Sequence, residues 1–378
     1  MIVKKLDIWH LRLGFQSPIK HNLATHQGSD NLVLRVTTED AVKGYGEGVP
    51  RGFVTGEVLD GSLSFLTEVL APAVLSREFH SPPALHQTLA EIYRQSQADR
   101  YPAAFCALEM ALLDAAGLTW KMPVSQLLGL KLRDQLEYSG VIPMMSPEKM
   151  RRLCQVIKKI GMRFVKLKVG TDSDLENLQL TREELGHEVD IRVDANSAWT
   201  PSEAIARLRE MLPYQISAVE QPVAKSDFVG LKQVREALPI PVIADESVCN
   251  EADARSLIEL RACQIFNIRL SKCGGLGAAT RIRKMAETAG ILCQVGCHVG
   301  ETSILAAAGR QFALTVPQLS FVEGSFSPFV LLRDVVVQPV AFNSGGMAYE
   351  LPGPGLGIEV LEPSLNEMAV SHRVETAP

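Results

Sequence analysis

RFVKLKV at residues 163–169, DIRVDA at 190–195, AVEQ at 218–221, PVIADE at 241–246 and IFNIRL at 265–270 are short β-branched runs with polar residues at or near their ends. Runs of this length and composition read as buried strands. LEYSGVI (136–142) precedes them, and LCQVG (292–296) and LSFVEG (319–324) follow, making eight strand candidates. Taking the last residue before each loop as 168, 194, 220, 245, 270, 296 and 323, the spacings are 26, 26, 25, 25, 26 and 27. So even a period marks a repeated strand–helix unit. Each interval holds a loop and a helix, as in EADARSLIELRA after the fifth run and AATRIRKMAETAG after the sixth. Linkers of that length make parallel crossovers, because hairpins need only a few residues. Eight units predict an α/β barrel of the (β/α)8 type; an open doubly wound sheet competes, and the regular spacing weighs against it.

Outward from this repeat the pattern changes. MIVKKLDIWHL, NLVLRVTTED and AVKGYGEGVP within residues 1–50 read as an antiparallel meander, and SLSFLTEVLAPAVL, PALHQTLAEIY and AAFCALEMALLDAAGL carry apolar residues at helical spacing. Strands followed by helices predict a segregated α+β domain. The expected division is a domain at 1–130, a barrel at 131–344, and a segment at 345–378 that returns to the first domain after the turn-rich GGMAYELPGPGLGIEVLEP.

The chain has 378 residues, 46% hydrophobic and 21% charged, with 38 Lys and Arg against 43 Asp and Glu, a net charge of -5. That is a globular balance with ample core and no basic run able to track a phosphate backbone, so nucleic acid is not expected as a partner. The N-terminus lacks an apolar leader, and no stretch approaches about 18 uninterrupted apolar residues, so secretion and membrane insertion are not expected either. Seven scattered cysteines without a CxxC pair predict reduced thiols and a cytoplasmic protein.

Chemistry in a parallel barrel gathers at the carboxyl ends of its strands. There the sequence places Lys166 and Lys168, Asp194 and Asn196, Glu220, Asp245, and Lys272 just beyond the sixth run. One carboxylate at such a position would ordinarily cap a helix or pair with a lysine. Asp194, Glu220 and Asp245 on three neighbouring strands point instead to a shared divalent cation, and oxygen ligands without clustered His or Cys favour Mg2+ over zinc, with Mn2+ as a substitute. Lys166 and Lys168, two apart on a strand, share a face, and their like charges should depress one pKa and make it a general base. Lys272 follows the sixth of eight strands, diametrically opposite the second. Metal-assisted removal of the proton α to a carboxylate, through an enediolate, with return from the other lysine, fits this layout.

These residues resemble the enolase superfamily, and within it the mandelate racemase and muconate-lactonizing subgroup. ALEMALLDAAG (107–117), PVSQLLG (123–129), VKLKVG, VDAN, EQP, ADES, SKCGG and PGLG occur in the family's order along nearly the whole chain. Enolase-type sites are known for a lysine base working beside magnesium ions that stabilise an enediolate, the same chemistry that the strand ends suggest. The resemblance implies a modified (β/α)7β barrel under an N-terminal cap, Lys168 and Lys272 as acid/base residues, Lys166 assisting, and Asp194, Glu220 and Asp245 on magnesium. It implies substrate selection by HNLATHQG (21–28) and RGFVTGE (51–57), with His21, Thr25, Phe53 and Val54 as specificity residues. It also implies a homo-oligomer, dimer or octamer. Dipeptide epimerases of the subgroup carry Asp-x-Asp at the eighth strand; here Phe321 and Glu323 stand there. Asn196, His298, Glu301 and Glu323 join the substrate-side residues, next to Cys297.

The expected activity is an isomerase acting on a small carboxylate, foremost a racemase or epimerase of an amino-acid derivative. Muconate-type cycloisomerisation and dehydration to an o-succinylbenzoate-like product use the same residues. A Schiff-base lyase and a barrel without catalysis are the remaining alternatives.

Overall fold

The chain begins with β1 (Val3–His21), β2 (Ala24–Thr38) and β3 (Lys43–Gly48), an antiparallel meander. The computed structural model describes residues 1–21 and 24–378, and the side chains of residues 21 and 24 lie outside that description. β4 (Gln135–Glu137) opens the second half, followed by eight barrel strands: β5 (Gly140–Ile142), β6 (Phe164–Lys168), β7 (Asp190–Asp194), β8 (Ile216–Glu220), β9 (Val242–Ala244), β10 (Ile265–Ile268), β11 (Leu292–Val295) and β12 (Leu319–Val322). These pair in parallel, in sequence order. The Ser139 amide donates to the Val322 carbonyl at 2.8 Å and joins the first strand's approach to the last. β13 (Met347–Tyr349) pairs with β4, and β14 (Ala369–Thr376) pairs antiparallel with β1, so the chain's last strand sits in the cap sheet.

Helices fill the crossovers, and local signals set their ends. Thr200 and Glu203 form a reciprocal capping box, and Asn250 accepts from the amides of Ala252 and Asp253; caps of this kind contribute about 1 kcal/mol each. Gly161, at φ 82°, closes the first barrel helix, Pro147–Ile160. The helices drawn from EADARSLIELRA and AATRIRKMAETAG appear at Glu251–Leu260 and Leu276–Thr288. After β12 there is only a single turn, Ser327–Val330, in place of a full eighth helix.

The cap joins the barrel through the helix Pro102–Trp120, in which every residue from Pro102 to Gly117 is buried. This is the one described helix long and apolar enough to cross a membrane, and it packs inside the protein. Its backbone lies directly against β3. A Cβ at Gly46 would fall 2.0 Å from the Ala107 carbonyl oxygen, so only glycine admits that approach. Glu47, on the alternate face, accepts from the Thr302 amide at 2.8 Å and its hydroxyl at 2.7 Å, tying the cap to the loop after β11.

Two expectations about elements are corrected. LEYSGVI is not one strand: Tyr138 and Ser139 interrupt it, because their amides bond outward to Gly346 and Val322 while the chain turns from β4 into the ring. Residues 24–28 of HNLATHQG are strand, and residue 21 ends the preceding one. After a bulge between Gly14 and Ile19, β1 and β2 continue pairing as Ile19↔His26, Lys20↔Thr25 and His21↔Ala24.

Candidate active site

Parallel register brings the polar strand ends level. Lys168 pairs with Asp194, and Asp194 with Glu220, while Asp245 follows β9 directly. The three carboxylates are fully buried. Burial of a carboxylate demands a partner, and here basic side chains and amides supply it. Lys166 Nζ donates to Glu323 Oε2 at 2.7 Å and to Glu220 Oε1 at 3.2 Å, with Asp194 Oδ2 also at 3.2 Å. Lys168 Nζ donates to Asp194 Oδ2 and Asn196 Oδ1, each at 2.6 Å. Arg269 pairs with Asp245 and lies 3.8 Å from Glu220. Lys272 Nζ donates to the Asp245 carbonyl at 2.5 Å, its Oδ1 at 3.0 Å and the Asn267 carbonyl at 2.9 Å.

Electrostatics divide the lysines. Burial alone would lower the pKa of Lys166, but Glu220, Glu323 and Asp194 outweigh it and raise it, the reverse of the like-charge effect expected from the KxK spacing. Opposite charges stand closer to Lys166 than any benefit of repulsion could reach. Burial lowers the pKa of Lys272. Burial would raise Glu220 and Glu323; Lys166 overcomes it for the first, and Lys166 with Arg192 holds the second at about 2. Among the three lysines, side-chain exposure is 3% for Lys166, 12% for Lys168 and 0% for Lys272, so Lys168 is the one most open to a ligand.

A cavity of about 420 Å³ opens above these groups, between barrel mouth and cap. Lys166, Lys168, Asn196, His298, Glu301 and Glu323 line it, and so do Phe53 and Val54 from the cap. Asn196 also donates to Glu246 Oε1 at 3.0 Å, and Glu301 accepts from the His298 amide at 3.1 Å. Thr25 and Lys272 do not line this cavity, and one expected residue cannot be placed. Thr25 is exposed on β2, whose pairing carries it away from the cavity wall, and the side chain of His21 lies outside the described residues. Lys272 borders a neighbouring cavity of about 330 Å³ with Cys249 and Asp253, because the turn Leu270–Cys273 sets its ammonium onto Asp245 and Asn267 instead of leaving it free across the mouth.

Several contributors were not singled out from sequence. Asn267 and Gln294 each donate to Glu220 at 2.9 Å, and Arg192 donates to Glu323 and to Ser139 Oγ. Their signal was a polar residue inside an otherwise apolar strand, as in IFNI, LCQV and IRV.

The donor chemistry suits a hard divalent cation: three wholly buried carboxylates at adjacent strand ends, with Glu246 Oε2 beside them buried and lacking a hydrogen-bond partner. As arranged, each carboxylate leans on a lysine or arginine, and no three His, Cys, Asp or Glu groups among the described residues converge to metal distance. Seven described cysteines are free, five of them buried.

The family described as "Enolase C-terminal domain-like" matches residues 149–364, and the "Mandelate racemase / muconate lactonizing enzyme, N-terminal domain" matches residues 6–129. The L-Ala-D/L-Glu epimerase of Bacillus subtilis (strain 168) is 32% identical over 364 residues, 95% of this chain and 97% of the epimerase. The crystal structure of N-succinyl Arg/Lys racemase from Bacillus cereus ATCC 14579 superposes with a TM-score of 0.90 at 27% identity, covering 99% of this chain and 100% of the racemase. A dipeptide epimerase from Enterococcus faecalis V583, complexed with Mg and the dipeptide L-Leu-L-Tyr, gives a TM-score of 0.88 at 30% identity, covering 95% and 100%.

Proposed function

This chain belongs to the enolase superfamily, in its mandelate racemase and muconate lactonizing branch, and is an isomerase; from that premise we propose that it racemises or epimerises an amino-acid derivative at the carbon next to a carboxylate. The observation that carries the reading is Lys168: an ammonium on the cavity wall, the most exposed of the three site lysines, seated between Asp194 and Asn196. Asp194, Glu220 and Asp245 would hold a magnesium ion, which supplies positive charge to the substrate's carboxylate as electrons move onto it. Lys168, once neutral, takes the α proton, and Asn196 and Asp194 fix its direction. Lys166, held charged by Glu220 and Glu323, adds a fixed positive field beneath the developing enediolate. Lys272 returns or removes the proton on the far side, after leaving the Asp245 and Asn267 oxygens that now hold it.

Glu323 argues for a substrate without a free ammonium. Its two oxygens are taken by Lys166 and Arg192, so the eighth strand offers no uncommitted acid to an amino terminus. N-acylated amino acids, whose nitrogen is neutral, fit this better than dipeptides.

The test is a screen of N-acyl amino acids, dipeptides and muconates in heavy water, read by mass gain at the α carbon. We expect N-acyl amino acids to gain deuterium, and EDTA to abolish the gain. Covalent trapping of substrate by borohydride, with activity unaffected by EDTA, would contradict the proposal and favour a Schiff-base lysine.

A further inference from the structure

The cap sheet ends on a strand that is open along one side. Its order is β14-β1-β2-β3, so β14 pairs with β1 and presents its other edge outward. The direction of each backbone group follows from the register, which runs without a shift from Lys5↔Thr376 to His10↔Ser371. The Ala377 amide donates to the Lys4 carbonyl at 2.8 Å. Amides alternate along a strand, so those of Glu375, Arg373 and Ser371 also face β1, while those of His372, Val374 and Thr376 point away from it. The Trp9 and His372 rings agree with this phase: they stack at 4.5 Å, as side chains do at a closely spaced pair that exchanges no backbone bonds. Among the described residues, the outward amides and carbonyls of His372, Val374 and Thr376 meet no backbone partner.

An open edge is a template for another strand, and the side chains of β14 say which one. Val370 and Val374 are exposed on one face of it. Arg373 and Glu375 alternate with them on the other face, and neither forms an ion pair among the described residues. Two copies of the strand can pair antiparallel, outward amides together, about a twofold axis at any of four residues. An axis at Arg373 sets two arginines face to face, and an axis at Glu375 sets two glutamates face to face. An axis at His372 leaves both charges opposite uncharged residues. With the axis at Val374, each Arg373 stands directly opposite Glu375 of the second copy, the two valines meet, and His372 exchanges backbone bonds with Thr376. Opposite charges at directly facing positions stabilise a pair of strands, and like charges oppose it.

We propose that β14 is a self-association strand: two copies of this chain join their cap sheets edge to edge, about a twofold axis at Val374, and the Arg373–Glu375 pairs fix the register. Sedimentation equilibrium of the full chain tests it. Arg373→Glu and Glu375→Arg each place like charges at both symmetric positions, and each should weaken association about 10- to 100-fold. The chain carrying both substitutions should associate as the native chain does, and so should an equimolar mixture of the two single variants; a folding defect predicts neither recovery. Val374→Pro removes the central outward amide while sparing the amides that bond to β1, and it should abolish the contact. Hydrogen exchange across residues 369–376 should slow as the concentration of the native chain rises, and should not do so in Val374→Pro. A native chain that stays monomeric at about 100 μM, far above the Kd of a stable interface, would overturn the proposal. So would an oligomer whose affinity none of these substitutions changes, or single variants that fail to recover on mixing.

Discussion

Asp245 shows how one residue serves two partners. Its side chain takes Arg269 and Lys272, and its backbone carbonyl takes Lys272 again, so the same carboxylate that is proposed to meet a metal also holds the lysine proposed as the second acid/base group. Asp245→Asn keeps the shape and one acceptor while removing the charge. We expect magnesium affinity to fall at least about 10-fold by titration, with the far-ultraviolet circular dichroism of the barrel preserved. A variant that fails to fold would assign Asp245 a structural role instead. At this scale the sequence exposed identities more than directions. The carboxylates were legible because each ends an apolar run, whereas the turn of Lys272 away from the mouth depends on the helical turn Leu270–Cys273, which four residues of sequence do not announce.

Elements carry charge of their own into the core. Glu109 sits mid-helix in Pro102–Trp120, 3% exposed, accepting from the Gly277 amide at 3.0 Å, and burial raises its pKa to about 7. An unfolded glutamate titrates near 4.3, so between that pH and about 7 the folded chain binds the extra proton. The contribution of Glu109 is therefore full below pH 4 and is lost as pH rises through 7, by at most about 4 kcal/mol at 1.36 kcal/mol per pH unit. Glu109→Gln retains the acceptor and removes the titration. Chemical denaturation of the two proteins at pH 5 and pH 8 should show the variant gaining on the native chain at the higher pH; parallel pH profiles would contradict the shift. Strand–helix alternation was readable because each unit buries both faces of its strand and one face of its helix. The interruption at Tyr138–Ser139 and the extended reach of β1 and β2 were not, because long-range amide bonds to Gly346 and Val322, and cross-strand pairing past a bulge, decide them.

The whole molecule is a barrel closed at its mouth by a cap, and the cavity lined by the candidate residues lies where the two meet. Glu47 from β3 and Arg51 beyond it reach the loop after β11, while Lys166 and Lys168 rise from β6 below. The period of 25 to 27 residues made the barrel visible before any coordinate, since a repeat that even leaves few other ways to bury eight strands. The cavity's breadth and its cationic wall emerge only from assembly. The account stands on proton transfer at one carbon from two sides, and the most direct measurement is α-proton exchange in heavy water with each enantiomer of an N-acyl amino acid, in Lys168→Ala and Lys272→Ala. Each variant should retain exchange of one enantiomer, the opposite one in each case, while racemisation falls by at least about 1,000-fold. Exchange lost equally for both enantiomers in Lys168→Ala, with Lys272→Ala indistinguishable from the native chain, would contradict it.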